Sequence, residues 1–591
     1  MTATADSSVG RSGRLLLGLA AVAVAFAAAD TYVVVLALPD MMASAGVPVE
    51  QLQRAAPVIS GFLLGYVAML PLIGRIADLR GRLPVLLMAL VVFAFGSLVT
   101  ALAYDLPSMV AGRFLQGVGG GGLVPATLAL VADLYPADRR SVPLGLVSAV
   151  QEIGSVLGPL FGALVLSVAD WRAIFLVNLA VGLVLAVALR ALRHGHAAVV
   201  TGPPARGRPD VPGALLLVVA VGASALVSLR PPALMRDLTW GEMFVPFGGD
   251  GRWLTPVGAV AMGAAALFLV RCLTARRPLV DLRGWIGAMR EADLTGSLLL
   301  AVALGGVILA FSTADPKIQV FAENGWWYLL GALVASVLLV WHLRRDDAPL
   351  VPHGALRRTP AWGALLVSFF VGAALIAALI DIPLFARTTV HADSQLGAAL
   401  VLVRFLVALP VGAVLGGYLS RRVGAGPTTA LGMAAAALGF VLMSRWDLTT
   451  LEHWHANLAL VIGGLGFGLA LAPVNAAVLA HTDDDVHGLA SALVVVARMV
   501  GMLVGISALT VIGLRRYYAE QADFPSVREV CDGRSRCAEF TLVLKEAGIA
   551  QEQTVFLGAA VCAVVAGLLA VALFRGARTD RISARDALSA H

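Results

Sequence analysis

Apolar runs of about twenty residues, separated by short charged or glycine-containing stretches, fill most of this chain. Sixteen can be drawn, over residues 15–38, 55–73, 85–103, 106–134, 141–168, 171–192, 211–229, 256–272, 294–312, 325–341, 361–385, 396–419, 428–443, 457–480, 486–514 and 555–574. A helix of that length, rising about 1.5 Å per residue, crosses the hydrocarbon core of a bilayer. The pattern predicts an all-α polytopic membrane protein with about 16 transmembrane helices. The first run follows Arg11 and Arg14 and lacks a small-residue cleavage site, so it reads as an uncleaved span and not a signal peptide.

Composition agrees with the pattern. Of 591 residues, 59% are hydrophobic and 14% charged, against roughly 25% charged in soluble domains; the mean hydropathy is +0.87. No polar stretch is long enough for a separate soluble domain of about 100 residues. The net charge of +6 does not call for nucleic acid, because the arginines gather in alternate short loops. Arg75, Arg80 and Arg82, then Arg139 and Arg140, then Arg421 and Arg422, fall on one side, as does the tail with Arg575 and Arg578. That bias places both termini in the cytoplasm. The polar stretch 515–553 breaks it with Arg515, Arg516, Arg528, Arg534 and Arg536, but long external loops escape the charge rule.

Two halves echo each other. Gly74-x-x-x-Asp78-x-x-Gly81 follows the second run, and Gly417-x-x-x-Arg421-x-x-Gly424 follows the second of the last six. Glu152 precedes Gly154 and Gly158; Arg498 precedes Gly501 and Gly505 in the counterpart span, so Glu152 and Arg498 are read as equivalent positions. Such echoes indicate two fused six-helix repeats, residues 1–195 and 359–591. The linker, 196–358, holds two helical hairpins, each followed by a similar stretch, Pro278-Leu279-Val280 and Pro349-Leu350-Val351, as if one hairpin duplicated the other.

Charge inside the spans supplies the candidate chemistry. An acidic residue at mid-membrane costs about 2.5–3.5 kcal/mol on the insertion scale and needs a cavity, a partner or a proton. Asp30 is such a residue, and Arg113 falls at a similar depth on a helix running the other way. The pair is either a proton-coupling site or a static ion pair. Glu152 and Arg498 each lie about 16 Å from one end of their helix, near the midplane; a glutamate that is ion-paired in one state and protonated in another couples protons to a conformational change. Asp381 lies closer to the outer surface and is expected to be wetted.

Three motifs carry a family resemblance. The stretch 74–82, read as a loop with Gly74, Asp78, Gly81 and Arg82 in place, resembles the signature between helices two and three of the major facilitator superfamily, departing from it at Leu79 and Leu83. Arg113-Phe114-Leu115-Gln116-Gly117 resembles its fourth-helix motif. Gly154-x-x-x-Gly158-Pro159-x-x-Gly162 resembles the fifth-helix motif of its antiporter branch. The segments around Asp30, Glu152 and Arg498 look like the actinobacterial, lipoprotein-partnered exporters of triacylglycerides, also described as multidrug efflux pumps, among the drug:proton antiporters. That resemblance implies two six-helix bundles around a central cavity and proton coupling through Asp30, Glu152 and Arg498. Spans five and eight face each other in this superfamily, which makes Arg404 a rival partner for Glu152. The related pattern has fourteen spans and one linker hairpin; this chain adds a second.

The stretch 515–553 contains Cys531 and Cys537, and an external position favours a disulfide between them; it is also a candidate docking surface for an extracytoplasmic lipoprotein. His481, Asp483, Asp484, Asp485 and His487 read as a solvated acidic turn and not a metal site, since no ligand spacing is diagnostic. Gly119, Gly120, Gly121 and Gly122 lie within a span with no lysine following, which argues against an ATP-driven pump. The expectation is a proton-coupled antiporter in the bacterial plasma membrane, exporting a lipid or lipophilic drug, with no cofactor beyond the coupling proton and no metal. Its rivals are a general multidrug efflux pump with no lipid role, a membrane enzyme, and a passive channel or scaffold.

Overall fold

Lipid offers no partner for a backbone N–H or C=O, so a chain this apolar is confined to helices that satisfy those groups internally. The computed structural model describes residues 11–47, 52–136, 139–196, 210–237, 239–248, 251–312, 324–346, 349–391, 394–522, 531 and 537–575, and no strand occurs among them. The first six helices are α1 (Arg11–Ser44), α2 (Leu52–Arg80), α3 (Arg82–Ala101), α4 (Leu106–Leu134), α5 (Ser141–Leu166) and α6 (Trp171–His196). The middle holds α7 (Val211–Leu229), α8 (Pro256–Thr274), α9 (Leu282–Glu291), α10 (Leu294–Ser312) and α11 (Gly325–Arg345). The last six are α12 (Thr359–Thr388), α13 (Gln395–Val423), α14 (Ala425–Met443), α15 (Ala456–Ala480), α16 (His487–Ala522) and α17 (Ala538–Leu573). Fourteen are long and apolar enough to cross a membrane by themselves, and α9 with α10, bent at 77°, makes a fifteenth. Helix α5, 26 residues with Glu152 as its one charge, completes the expected set.

Hydropathy misplaced some helix ends. The expected loop at 74–82 is helix except for Gly81, whose φ of 88° is one that glycine adopts freely. Gly424, at φ 87°, makes the same break between α13 and α14. Much of the polar stretch 515–553 is helix as well, because α16 continues to Ala522 and α17 starts at Ala538. Arg516 and Glu520, one turn apart, pair along α16 there. Polarity marked where these helices leave the apolar zone, not where they stop.

The two six-helix bundles use one packing scheme. In the first, α4 packs on α2 and α3, α1 on α5, and α6 on α3; in the second, α15 packs on α13 and α14, α16 on α12, and α17 on α14. Small residues make the close crossings. A Cβ on Gly154 or Gly158 would lie 2.1 or 2.4 Å from the carbonyl oxygen of Ala25 or Ala29. Gly501 and Gly505 press in the same way on Phe369 and Ala373. These contacts fix the register between repeats and set Arg498 opposite Gln151, so the expected equivalence of Glu152 and Arg498 is off by one residue. The glycines of α4 are a packing seam too: Gly117 and Gly121 sit on carbonyls of Phe62 and Tyr66, and Gly119 on the backbone of Phe93.

The linker hairpins, α7–α8 and α10–α11, share one clasp. Asp210 accepts the Gly213 N–H at the start of α7, the Arg271 guanidinium (2.7 Å) and the Leu279 N–H. Asp293 accepts the Gly296 N–H at the start of α10 and the Leu350 N–H (2.9 Å), and its carboxylate meets His342 at 2.8 Å. The repeated set of contacts supports duplication of one hairpin. The hydrogen bond from Arg271 holds the Asp210 carboxyl below the usual carboxylate range; its contribution is present above that range and is lost on acidification. In the second clasp Asp293 is buried. Asp293→Ala is therefore expected to cost about 1–3 kcal/mol, the penalty of orphaned buried donors, read as a lower melting temperature of the purified protein. Among the described residues of these hairpins, α10 packs most closely on the bundles, against α2 and α16.

Candidate functional site

Asp30 is buried on α1 and is enclosed by donors from two other helices. The Arg113 guanidinium of α4 and the Asn178 amide of α6 both contact its carboxylate directly. Gln116, one turn from Arg113, accepts from Arg113 at 3.0 Å, donates to Ser97 at 2.8 Å and reaches Asp30 at 3.5 Å. All four of these partners are buried. A charged pair survives out of water only when its remaining hydrogen-bonding capacity is met, and Gln116, Asn178 and Ser97 meet much of it. The Arg113 guanidinium lies 4.3 Å above the ring of Phe62.

On its other side, Phe62 lines a cavity between the two bundles. Thr31 and Tyr66 share the wall, Gln151 and Glu152 come from α5, Leu375 and Leu379 from α12, and Arg498 and Met499 from α16. Its volume is about 50 Å³, room for a few waters and no more. Glu152 is buried and feels the charge of Arg498 across this space, yet no ion pair within 4 Å joins them among the described residues. Arg498 also borders a second small cavity with Asn475, whose Oδ1 is buried without a donor. The arginine thus borders two cavities, one holding a buried carboxylate and the other an unsatisfied amide oxygen.

One end of the molecule is locked. Asp78 at the end of α2 accepts the N–H groups of Gly488 (2.8 Å) and Leu489 (2.9 Å) at the start of α16, where the helix dipole favours an anion. Arg82 pairs with Asp78 at 3.0 Å and donates to the Asp484 carbonyl; Arg75 donates to the Asp485 carbonyl. The acidic turn thus contributes backbone oxygens here, and the Asp484 carboxylate lies 3.8 Å from Arg140 and 3.5 Å from His487. Gly74 lets the helices touch, since a Cβ there would lie 2.6 Å from the Gly488 carbonyl. At the same end α5 meets α13, with Gly145 against Ala413 and Gly417 against Ser141. Gly74→Leu is expected to keep this end open, read as faster thiol labelling of a cysteine placed at the buried Leu489, whose backbone N–H to Asp78 a cysteine retains.

The sequence matches the Major Facilitator Superfamily over residues 20–506. The chain belongs to that superfamily. Among its relatives, a triacylglyceride transporter of Mycolicibacterium hassiacum is 36% identical, covering 85% of this chain and 82% of that protein. The triacylglyceride transporters of Mycobacteroides abscessus and Mycobacterium tuberculosis are 35% and 34% identical, each covering 86% of this chain and 84% of theirs. Of solved superfamily structures, the proton:xylose symporter XylE shares the fold at a TM-score of 0.52 and 14% identity, covering 96% of this chain and 95% of that one. A human organic anion transporter does so at 0.51 and 14%, covering 94% and 99%. The protein is a multi-pass membrane protein of a transporter superfamily.

Against the superfamily expectations, the structure joins Asp30 to Arg113 and puts Glu152 opposite Arg498. In this conformation Arg404 does not meet Glu152: that side chain is exposed and donates to Asn457 at 2.9 Å. Asp381, expected to be wetted, is half-buried and hydrogen-bonded to Glu552. Cys531 and Cys537 are disulfide-bonded with Cα atoms 5.5 Å apart. Pro159 lies within α5, its side chain outside the described residues. Sequence reasoning missed Asn178 and Glu552; an asparagine in an apolar run was the available signal for the first, whereas Glu552 lies in the polar stretch 515–553 and nothing local set it apart.

Proposed function

We propose that the protein is a proton-coupled antiporter that exports a lipid, of the triacylglyceride class, by alternating access. The observation that carries this is Glu152, buried in a cavity built by both bundles and facing Arg498 without a direct ion pair. Such a carboxylate has two settings, charged toward Arg498 or neutral with a proton, and the cavity changes its electrostatics between them. Neutralising Glu152 releases Arg498 toward Asn475 and weakens the attraction across the bundle interface. The Asp78 lock then opens, and the bundles rock about the cavity. The Gly74-to-Gly81 end is taken as cytoplasmic and the disulfide end as external, with the external lipoprotein as its partner. No step calls for catalysis or a bound cofactor, only for protons.

Two supports point to a lipid. Three relatives covering most of the chain are named for triacylglyceride transport, and the closed cavity, which has to widen before it admits a lipid, would open a wall that is largely apolar outside Glu152 and Arg498, with Phe62, Leu375, Leu379 and Met499. The test is transport in proteoliposomes under an imposed pH gradient, comparing a fluorescent triacylglyceride with a lipophilic cation. Gradient-driven triacylglyceride movement is expected. Cation movement alone would favour a general multidrug pump, and movement indifferent to the gradient would favour a passive path.

A further inference from the structure

Asp381 on α12 and Glu552 on α17 bring two carboxyl groups together in the second bundle, within hydrogen-bonding reach of each other. Glu552 is 2% exposed, and its Oε2 is buried without a hydrogen-bond donor. Its other oxygen takes one long bond, 3.4 Å, from Gln551. Two carboxylates offer acceptors only, so they hydrogen-bond only when one of them carries a proton. The orphaned oxygen of Glu552 is the atom that lacks it.

Among the described residues no basic group acts on Glu552 in the proton's place. Arg387 on α12, Arg404 on α13, Arg445 after α14, Arg498, Arg515 and Arg516 on α16, and Lys545 and Glu546 on α17 belong to the packed elements, yet the one charge that acts on Glu552 is Asp381. Nearby, Phe385, Trp446 and Phe556 form an aromatic cluster, with ring centroids 5.3 Å apart for Phe385–Trp446 and 6.0 Å for Trp446–Phe556. Gln553 pins α17 to the end of α14 by donating to the Trp446 carbonyl at 2.7 Å. Glu552 is buried, while Asp381 remains partly accessible.

The pair is distinct from the sites above. The glycine contacts align Ala29 with Ala373, so Asp381 sits about 10 Å, or two turns, beyond the place matching Asp30. We propose that Asp381 and Glu552 form a second proton-binding site, in which two carboxyls share a single proton. With the proton, α12 and α17 are tied together. Without it, two like charges face each other where Glu552 is buried and push the helices apart.

This site stands whether or not the chain is an antiporter, because its occupancy is read without substrate. Full-length protein in detergent is titrated in weak buffer from about pH 6 to about pH 10, and proton release is compared with that of Glu552→Gln. In the variant the amide supplies the donor, so the contact survives and about one proton fewer is released per molecule. Equal release would overturn the proposal. As a check on the unaltered protein, dicyclohexylcarbodiimide, which attacks protonated carboxyls in apolar surroundings, is expected to label Glu552 or Asp381 at neutral pH. It should label them less as pH rises. Mapping that finds neither residue labelled at any pH would also overturn it.

Discussion

Glu152→Gln is expected to lower gradient-driven transport at least about tenfold, while substrate exchange without a gradient continues. A loss confined to the coupled rate is the mark of an interaction used in the cycle and not in the resting fold. Glutamine keeps the shape of the neutral acid, so the cavity around Phe62, Tyr66 and Met499 retains its packing. What is lost is the charged setting and its pull on Arg498. Initial rates with and without an imposed pH gradient separate the two effects. A variant that transports normally under the gradient would make Glu152 a structural residue.

Arg113→Leu is expected to unfold or severely destabilise the first bundle. Arg113 is fully buried and contacts Asp30 directly. Removing it strands a buried carboxylate with only the amides of Asn178 and Gln116 as donors. Breaking a buried pair from one side costs about 3–5 kcal/mol. The readout is the yield and melting temperature of monodisperse protein. Adding Asp30→Asn should recover much of the stability, because the stranded charge is gone. Asp30→Asn alone then decides the role of the pair: preserved coupled transport would make it a static pin between α1 and α4.

Much of this was legible in the chain. Sixteen apolar runs gave the helices and their order, since length and apolarity are the two properties a spanning helix needs. Asp30 and Arg113 stood out for the same reason, as charges where lipid forbids them. Three things were hidden. Helix ends were hidden because hydropathy reports polarity and not backbone conformation, so the helical turns before Gly81 read as a loop. Partners were hidden because a periodic pattern does not say which face a helix turns inward; Arg404 matched Glu152 in depth and faced away. The pairing of Asp381 with Glu552 joins residues 171 positions apart on α12 and α17, and no local pattern links them. The one-residue offset between Glu152 and Arg498 emerged only from the glycine contacts that set the register of the repeats.

The most direct test of proton-coupled export is to follow protons and substrate together. Weakly buffered proteoliposomes containing a pH-sensitive dye and a fluorescent triacylglyceride would record proton influx and lipid movement at once. Lipid is expected to leave its compartment under the gradient only as protons enter, and both gradient-driven signals are expected to fall together, at least about tenfold, in Glu152→Gln. Lipid movement at an unchanged rate with no accompanying proton flux would contradict it.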